Sequence, residues 1–317
     1  MSKLYRNEVG YYTLISDILK KGVEVPDRTG IGSIALFDAK VVFSKCSSIT
    51  STLRPAPLRM AFEEFWMFLR GSTNTKELEE KGINFWKGNT SREFLDNRGL
   101  HYLDSGDMGM AYGFQFRNFG GFSEAYINDQ FNSEDEDLKE LYRVKGIDQL
   151  EESFNILKND KYSRRNIVTF WNPEFSDTMA LTPCWHTHQL VVLPNKNGKD
   201  VLHMKLINRS LDSVFGFLFA VQQYRLYQMA LCKIFDFELG ELSCDLTQVH
   251  IYKNQIDYAK ELLERGFPLY ENAPEVKINK DMKNLDDLIN LKWEDISILN
   301  NIVNKEPFKT PRPDMAV

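Results

Sequence analysis

The stretch from Leu181 to Tyr224 constrains this chain more than any other. It holds two polar runs, each joined to an apolar, strand-like segment. Thr182-Pro183-Cys184-Trp185-His186-Thr187-His188-Gln189 leads into Leu190-Val191-Val192-Leu193. Leu206-Ile207 leads into Asn208-Arg209-Ser210-Leu211-Asp212-Ser213-Val214-Phe215-Gly216-Phe217. Neighbouring strands carrying these runs would put one thiol beside an arginine, a hydroxyl and a carboxylate. A thiol reacts as its thiolate, and a nearby cation lowers its pKa. The expectation is that Cys184 attacks a substrate and that Arg209 helps keep it ionised.

Composition narrows the class. The chain has 317 residues, 43% hydrophobic and 26% charged, enough to bury an ample core. No Pro/Gly/Ser-rich linker interrupts it, so one domain over residues 1–317 is expected. No apolar run reaches the roughly 20 residues of a membrane span, and no charged-then-apolar signal opens the sequence. Cys46, Cys184, Cys232 and Cys244 lack paired spacing, which suits a reducing, cytoplasmic setting. No Cys/His spacing resembles a metal site, so no metal is expected. A net charge of -6 argues against a stable nucleic-acid partner, though not against a local basic pocket for one phosphate.

In chain order, helical spacing over Tyr5 to Lys21 predicts a first helix. Pro26-Asp27-Arg28-Thr29-Gly30-Ile31-Gly32 is a turn before the strand-like Ser33 to Phe43, and Arg28 there could clamp an anion. Taken alone, the segment reads first as a hairpin turn with a solvated arginine. Leu58 to Gly71 is an apolar helix stopped by glycine. Glu63 and Glu64 interrupt it on different faces, so one is expected in solvent and the other inside, as an ion-pair or proton-transfer group. Asn84 to Asn89 and Gly106 to Arg117 are loops rich in glycine, aromatics and amides, a composition suited to a flat heterocycle. Phe114 and Phe116 read as ordinary packing.

Glu134 to Glu140 reads as a solvated acidic loop, and Ile147 to Leu157 as a helix. Ser163-Arg164-Arg165-Asn166 precedes the strand-like Ile167 to Phe170, as a phosphate site or an exposed edge. Gln222 to Phe235 reads as a long apolar helix with Cys232 in the core. Val249-His250-Ile251-Tyr252 alternates, so His250 and Tyr252 share a face and could read a sugar hydroxyl. His101 and His203 read as structural. The apolar tail Pro313 to Val317 is expected to dock.

Taken together, these runs resemble the thymidylate synthase family over essentially the whole chain. The motifs that carry the resemblance are Trp86 before Asn89, Gly106-Asp107 leading to Tyr112-Gly113-Phe114-Gln115, Ser163-Arg164-Arg165, Pro183-Cys184, Arg209-Ser210 with Asp212, and His250-Ile251-Tyr252. The resemblance implies a mixed α/β fold whose large sheet packs against that of a second copy, giving a homodimer. It implies Cys184 as the nucleophile at C6 of a deoxypyrimidine 5'-monophosphate, Glu64 as proton relay and Tyr112 near the C5 proton. Arg28, Arg209 and Ser210 would bind the phosphate with Arg164 and Arg165 of the other subunit, and His250 and Tyr252 the sugar. Trp86, Asn89, Asp212, Gly216 and the terminal Val317 would line the site of the co-substrate, 5,10-methylenetetrahydrofolate.

Four departures stand out. Trp185 follows the cysteine where the family resembles a histidine pattern, and Lys87 replaces an aspartate. Ala220, in Phe217-Leu218-Phe219-Ala220, stands where an amide reads the base, and Val214 to Phe217 resembles a hydroxymethylase loop. A lost buried base contact costs on the order of 1–3 kcal/mol unless replaced. Gln222, Gln223, His186 or water would have to compensate. The departures tilt the expectation towards hydroxymethylation of dUMP or dCMP. Thymidylate synthesis is the alternative, and a non-catalytic nucleotide binder is the second alternative.

Overall fold

The computed structural model describes residues 3–45, 51–131, 135–267, 274–300 and 307–313. In chain order the strands are β1 (Leu4–Arg6), β2 (Val23–Val25), β3 (Ser33–Phe43), β4 (Ile167–Thr169), β5 (Trp185–Pro194), β6 (Asp200–Asn208), β7 (Leu211–Asp212), β8 (Glu238–Tyr252), β9 (Glu275–Ile278) and β10 (Ile296–Leu299). The helices are α1 (Asn7–Lys21), α2 (Leu58–Leu69), α3 (Lys76–Glu79), α4 (Arg92–Asn97), α5 (Tyr112–Arg117), α6 (Glu124–Gln130), α7 (Glu136–Tyr142), α8 (Gln149–Asn159), α9 (Gly216–Phe235), α10 (Ile256–Arg265) and α11 (Leu285–Ile289). The protein is therefore mixed α/β, as expected. Its described residues divide into two compact units, one formed by residues before Glu63 together with those from His188 onward, and the other by Glu63–Thr187.

The first unit is built on a mixed sheet in the order β1-β3-β8-β6-β5, with β2 on β3 and β7 on β8. β3 runs antiparallel to β8 over ten register pairs from Ser33↔Tyr252 to Phe43↔Leu242, whereas β6 and β7 run parallel to β8. Alternation does the sorting: Leu202, Met204, Leu206 and Asn208 of β6 are buried, and so are Leu242, Cys244 and Leu246 of β8. Helix α9 is buried nearly all round, from Phe217 to Cys232. Its Arg225 is 1% exposed and donates to the carbonyls of Phe43, Ser44 and Gly240 and to Gln228 Oε1. One guanidinium thus ties the ends of two strands to the helix, and burial pulls its pKa down.

In the second unit α2 packs Phe65 edge-on to Phe116, which meets Phe170 beside β4. β4 lies along the first residues of β5, with Phe170 N–H donating to the His186 carbonyl. Gln149, inside α8, bonds the backbone of Gln115 and of Thr169. One buried amide thereby fixes α5, α8 and β4 together.

Several boundaries differ from the sequence reading. The first helix begins at Asn7, because Leu4–Arg6 instead pairs in parallel with Lys40–Val42. The acidic run is not a loop: α7 covers Glu136–Tyr142, and Arg143 neutralises Glu124, Glu136 and Glu140. Helix α9 starts at Gly216, six residues before the apolar periodicity suggests. Among the described residues no helix is long and apolar enough to cross a membrane.

Candidate active site

In the first unit the polar ends of the strands converge. Arg209 and Ser210 follow β6, and the chain turns at once into β7, where Asp212 pairs with His250. Ser213 N–H donates to the His250 carbonyl at 2.9 Å. His250 and Tyr252 share a face, their ring centroids 4.9 Å apart at 83°. Ser33, opposite Tyr252, opens β3, so the β2–β3 hairpin loop carrying Arg28 emerges at this same end. Lys253 N–H donates to the Gly32 carbonyl at 3.0 Å and holds the loop there. Gly30 and Gly32 both sit at φ +75°, a conformation glycine adopts without strain. The segment is a hairpin turn, and its exposed arginine also stands at a polar strand end.

Asp212 is oriented by three donors. Oδ1 accepts from the N–H groups of Val214 at 2.9 Å and Phe215 at 3.2 Å, and Oδ2 accepts from Gln255 Nε2 at 3.1 Å. The first two bonds tighten the turn that launches α9 at Gly216. Ala220 lies one turn further on, 4% exposed, its methyl unable to hydrogen-bond. Gln222 is fully buried and donates to the Ala56 carbonyl at 3.1 Å.

The second unit holds the nucleophile candidate. Cys184 directly precedes β5, is partly exposed, and its backbone N–H donates to Tyr112 Oη at 2.9 Å. Two backbone bonds clip the loop before Tyr112 to the segment before Cys184: Met110 N–H to Thr178 O, and Ala180 N–H to Met108 O. The clip requires glycine at 109. Its φ is +67°, and a Cβ there would stand 2.1 Å from the Thr178 carbonyl oxygen. The Tyr112 ring stacks on Phe68 at 5.0 Å and 13° and tilts against Phe170. The other described cysteines are different: burial pushes the Cys232 thiol up to about 12 and Cys244 upward as well. Cys46 lies outside the described residues.

Glu63 and Glu64 are both buried, at 9% and 7% exposure, which corrects the expectation that one is solvated. Each has its own partner. Lys81 Nζ reaches Glu63 Oε2 at 2.6 Å, and Trp86 Nε1 donates to Glu64 Oε1 at 2.5 Å. Paired carboxylates tolerate burial, and the distant partners were not legible locally. Asn89 is 4% exposed, and its Nδ2 has no hydrogen-bond partner among the described residues. Arg164 and Arg165 are exposed on the turn before β4. Val317 lies outside the described residues. Sequence reasoning missed Phe68 and Gln255; the only signal for the latter was its place three residues beyond Tyr252.

Of the remaining histidines, His188 is fully buried against the rings of Tyr224 and Tyr227, and burial pushes its pKa down to about 3. His203 accepts from the Glu241 N–H at 3.1 Å, and His101 lies exposed near Asp129. No group of three or more His, Cys, Asp and Glu side chains among the described residues could hold a metal ion.

A profile described as thymidylate synthase matches residues 9–310. The chain belongs to the thymidylate synthase family. Family members resembling it include the thymidylate synthase of Saccharomyces cerevisiae, 35% identical over 290 residues that cover 89% of this chain and 90% of that one. The thymidylate synthase of Candida albicans is 33% identical over 326 residues, covering 98% of both chains. A bifunctional dihydrofolate reductase-thymidylate synthase of Paramecium tetraurelia is 36% identical over 276 residues, 86% of this chain and 55% of that protein. This chain thus spans about half the length of the bifunctional relatives it matches.

Proposed function

We propose that this chain is a thymidylate synthase, converting dUMP and 5,10-methylenetetrahydrofolate to dTMP and dihydrofolate. The observation that carries the reading is the hydrogen bond between Cys184 and Tyr112, at 2.9 Å. It supports the reading because the backbone N–H of one and the hydroxyl of the other join the two residues that the resemblance assigns to C6 attack and C5 deprotonation. The names of the full-length relatives favour methyl over hydroxymethyl formation. The departures at Trp185, Lys87 and Ala220 had pointed the other way, towards hydroxymethylation. The intact thiol, Glu64 and Tyr112 weigh against a non-catalytic binder.

In this reading the Cys184 thiolate, favoured by Arg209, adds to C6 and makes C5 nucleophilic. C5 takes up the one-carbon unit and then loses its proton near Tyr112, with Glu64 relaying protons through water. Loss of that proton breaks the bond between the transferred carbon and the folate nitrogen, and hydride from the folate then completes the methyl group as the Cys184 thiolate leaves C6. Arg28, Arg209 and Ser210 hold the phosphate, and His250 and Tyr252 the sugar. Trp86, Asn89, Asp212, Gly216 and Val317 serve the folate. Each unit holds donors or acceptors of a kind that suits a pterin: in the second, an indole held by Glu64 and an Asn89 Nδ2 without a partner among the described residues, and in the first, an Asp212 carboxylate oriented by backbone N–H groups.

The two units serve one catalytic domain, and two copies form a dimer to which Arg164 and Arg165 contribute across the interface. The test is tritium release from C5-labelled dUMP and, separately, dCMP, with dihydrofolate absorbance followed in the same mixture. Release from dUMP with stoichiometric dihydrofolate is expected. Release without dihydrofolate would mean hydroxymethylation, and no release from either base would mean a binder.

A further inference from the structure

The turn that joins β5 to its sheet neighbour β6 carries the single Asn-Gly step of the sequence, Asn197-Gly198. Both residues are exposed. Gly198 sits at φ +78°, where a side chain would be strained, and the space beside its Cα is open. Asparagine amides are among the thermolabile groups of proteins. Their loss requires the next residue's backbone nitrogen to give up its proton and attack the side-chain carbonyl carbon. An exposed glycine hinders that attack least, because it has no Cβ.

Asn195 stands in the way of this step. Its carbonyl accepts from the Gly198 N–H at 2.9 Å, and its Oδ1 accepts from the N–H groups of Asn197 at 2.9 Å and Lys199 at 3.0 Å. Its own N–H donates to the Lys199 carbonyl at 2.8 Å, and its Nδ2 donates to Glu238 Oε2 at 3.1 Å. The nitrogen that has to attack therefore has its proton committed to Asn195 and reacts only when the tip opens. Exposed loop tips open at a small cost in free energy.

We infer that Asn197 is a site of spontaneous modification, converting to aspartate and isoaspartate, with Asn195 setting the rate by holding the attacking nitrogen. In the first step the Gly198 nitrogen bonds to Asn197 Cγ, the Cγ–Nδ2 bond breaks, and ammonia leaves with the proton that the Gly198 nitrogen gave up. A cyclic imide results, and water opens it at either carbonyl. Breaking the new N–Cγ bond gives aspartate. Breaking the original bond between the Gly198 nitrogen and the Asn197 backbone carbonyl carbon gives isoaspartate, whose main chain runs through Cβ. Water is the only reactant consumed, and nothing is oxidised or reduced. The extra main-chain carbon of isoaspartate is incompatible with keeping all the bonds that now close the turn on Asn195. The inference is independent of the proposed function.

The experiment is incubation of the full chain at neutral pH and physiological temperature, followed by peptide mass spectrometry. Isoaspartate is counted by methyl transfer from labelled S-adenosylmethionine with an isoaspartyl methyltransferase as reagent. The peptide holding Asn197 should gain acid mass at least about tenfold faster than a peptide holding any other asparagine, with isoaspartate on it. No acid mass there, or a rate no faster than at other asparagines, overturns the inference. Asn195→Ala releases the two amides held by Oδ1 and should speed the conversion about tenfold; an unchanged rate overturns the role of Asn195. Hydrogen exchange of the wild-type protein tests that role without a variant. The Gly198 amide should exchange at least about tenfold more slowly than in an unfolded chain, and exchange at the unfolded rate overturns the hold. Asn197→Gln should carry no isoaspartate at this turn, and isoaspartate persisting there would place the reaction elsewhere and overturn the assignment.

Discussion

Replacing Tyr112 with phenylalanine removes one oxygen and tests how the nucleophile is held. The ring would keep its stack on Phe68 and its tilt against Phe170, so packing is conserved. What is lost is the acceptor for the Cys184 N–H, a bond of 2.9 Å. A net hydrogen bond is worth about 1 kcal/mol, rising to roughly 3 kcal/mol when a buried donor is left bare. Cys184 is partly exposed, which places the stability loss nearer about 1 kcal/mol. The kinetic loss should be larger, because a reacting group displaced by ~1 Å can cost about a hundredfold in rate. Urea unfolding would then show a midpoint lowered by less than about 1 M at unchanged slope. Tritium release from dUMP would fall roughly a hundredfold, and dUMP affinity would stay within about threefold. A variant releasing tritium within threefold of wild type would refute the claim that this contact positions the thiol.

Further outcomes follow from other contacts. Cys184→Ser should abolish turnover and leave nucleotide binding largely intact, as read by calorimetry; retained turnover would contradict the assignment. Arg225→Met orphans three backbone carbonyls and should cost about 3 kcal/mol or more in urea unfolding, without a selective effect on nucleotide affinity. For His188 the folded pKa is depressed to about 3, below the usual ~6.5. Between those values the unfolded chain binds the extra proton, so stability is full above ~6.5 and falls as pH is lowered. From pH 6.5 to pH 5 the loss should be about 2 kcal/mol, and His188→Phe should flatten that slope in urea melts. A slope equally steep in both proteins would count against this cause.

The fold was legible where a local pattern decides it. Ser33–Phe43 alternates and forms β3 with those ends, and the apolar run from Leu58 forms α2 before Gly71 turns the chain. It was not legible where a distant partner decides. Glu63 and Glu64 look like a solvated and a buried pair until Lys81 and Trp86 supply their partners. The acidic run folds as a helix because Arg143, outside the run, gathers three of the surrounding carboxylates. Leu4–Arg6 carries helical spacing but is claimed by the edge of β3. The candidate site residues were proposed from motifs, each of which names a residue type at a fixed place. Gln255 belongs to no such motif, and its bond to Asp212 singles it out.

The central claim is that the Cys184 sulfur bonds to C6 of the pyrimidine. Mass spectrometry of the protein incubated with 5-fluoro-dUMP and methylenetetrahydrofolate tests it most directly, because fluorine at C5 cannot leave as a proton does and the covalent complex accumulates. One nucleotide and one folate should be found on the peptide that contains Cys184, and none on Cys184→Ser protein. An unmodified chain, or the same added mass on the Cys232 or Cys244 peptide, would contradict the account.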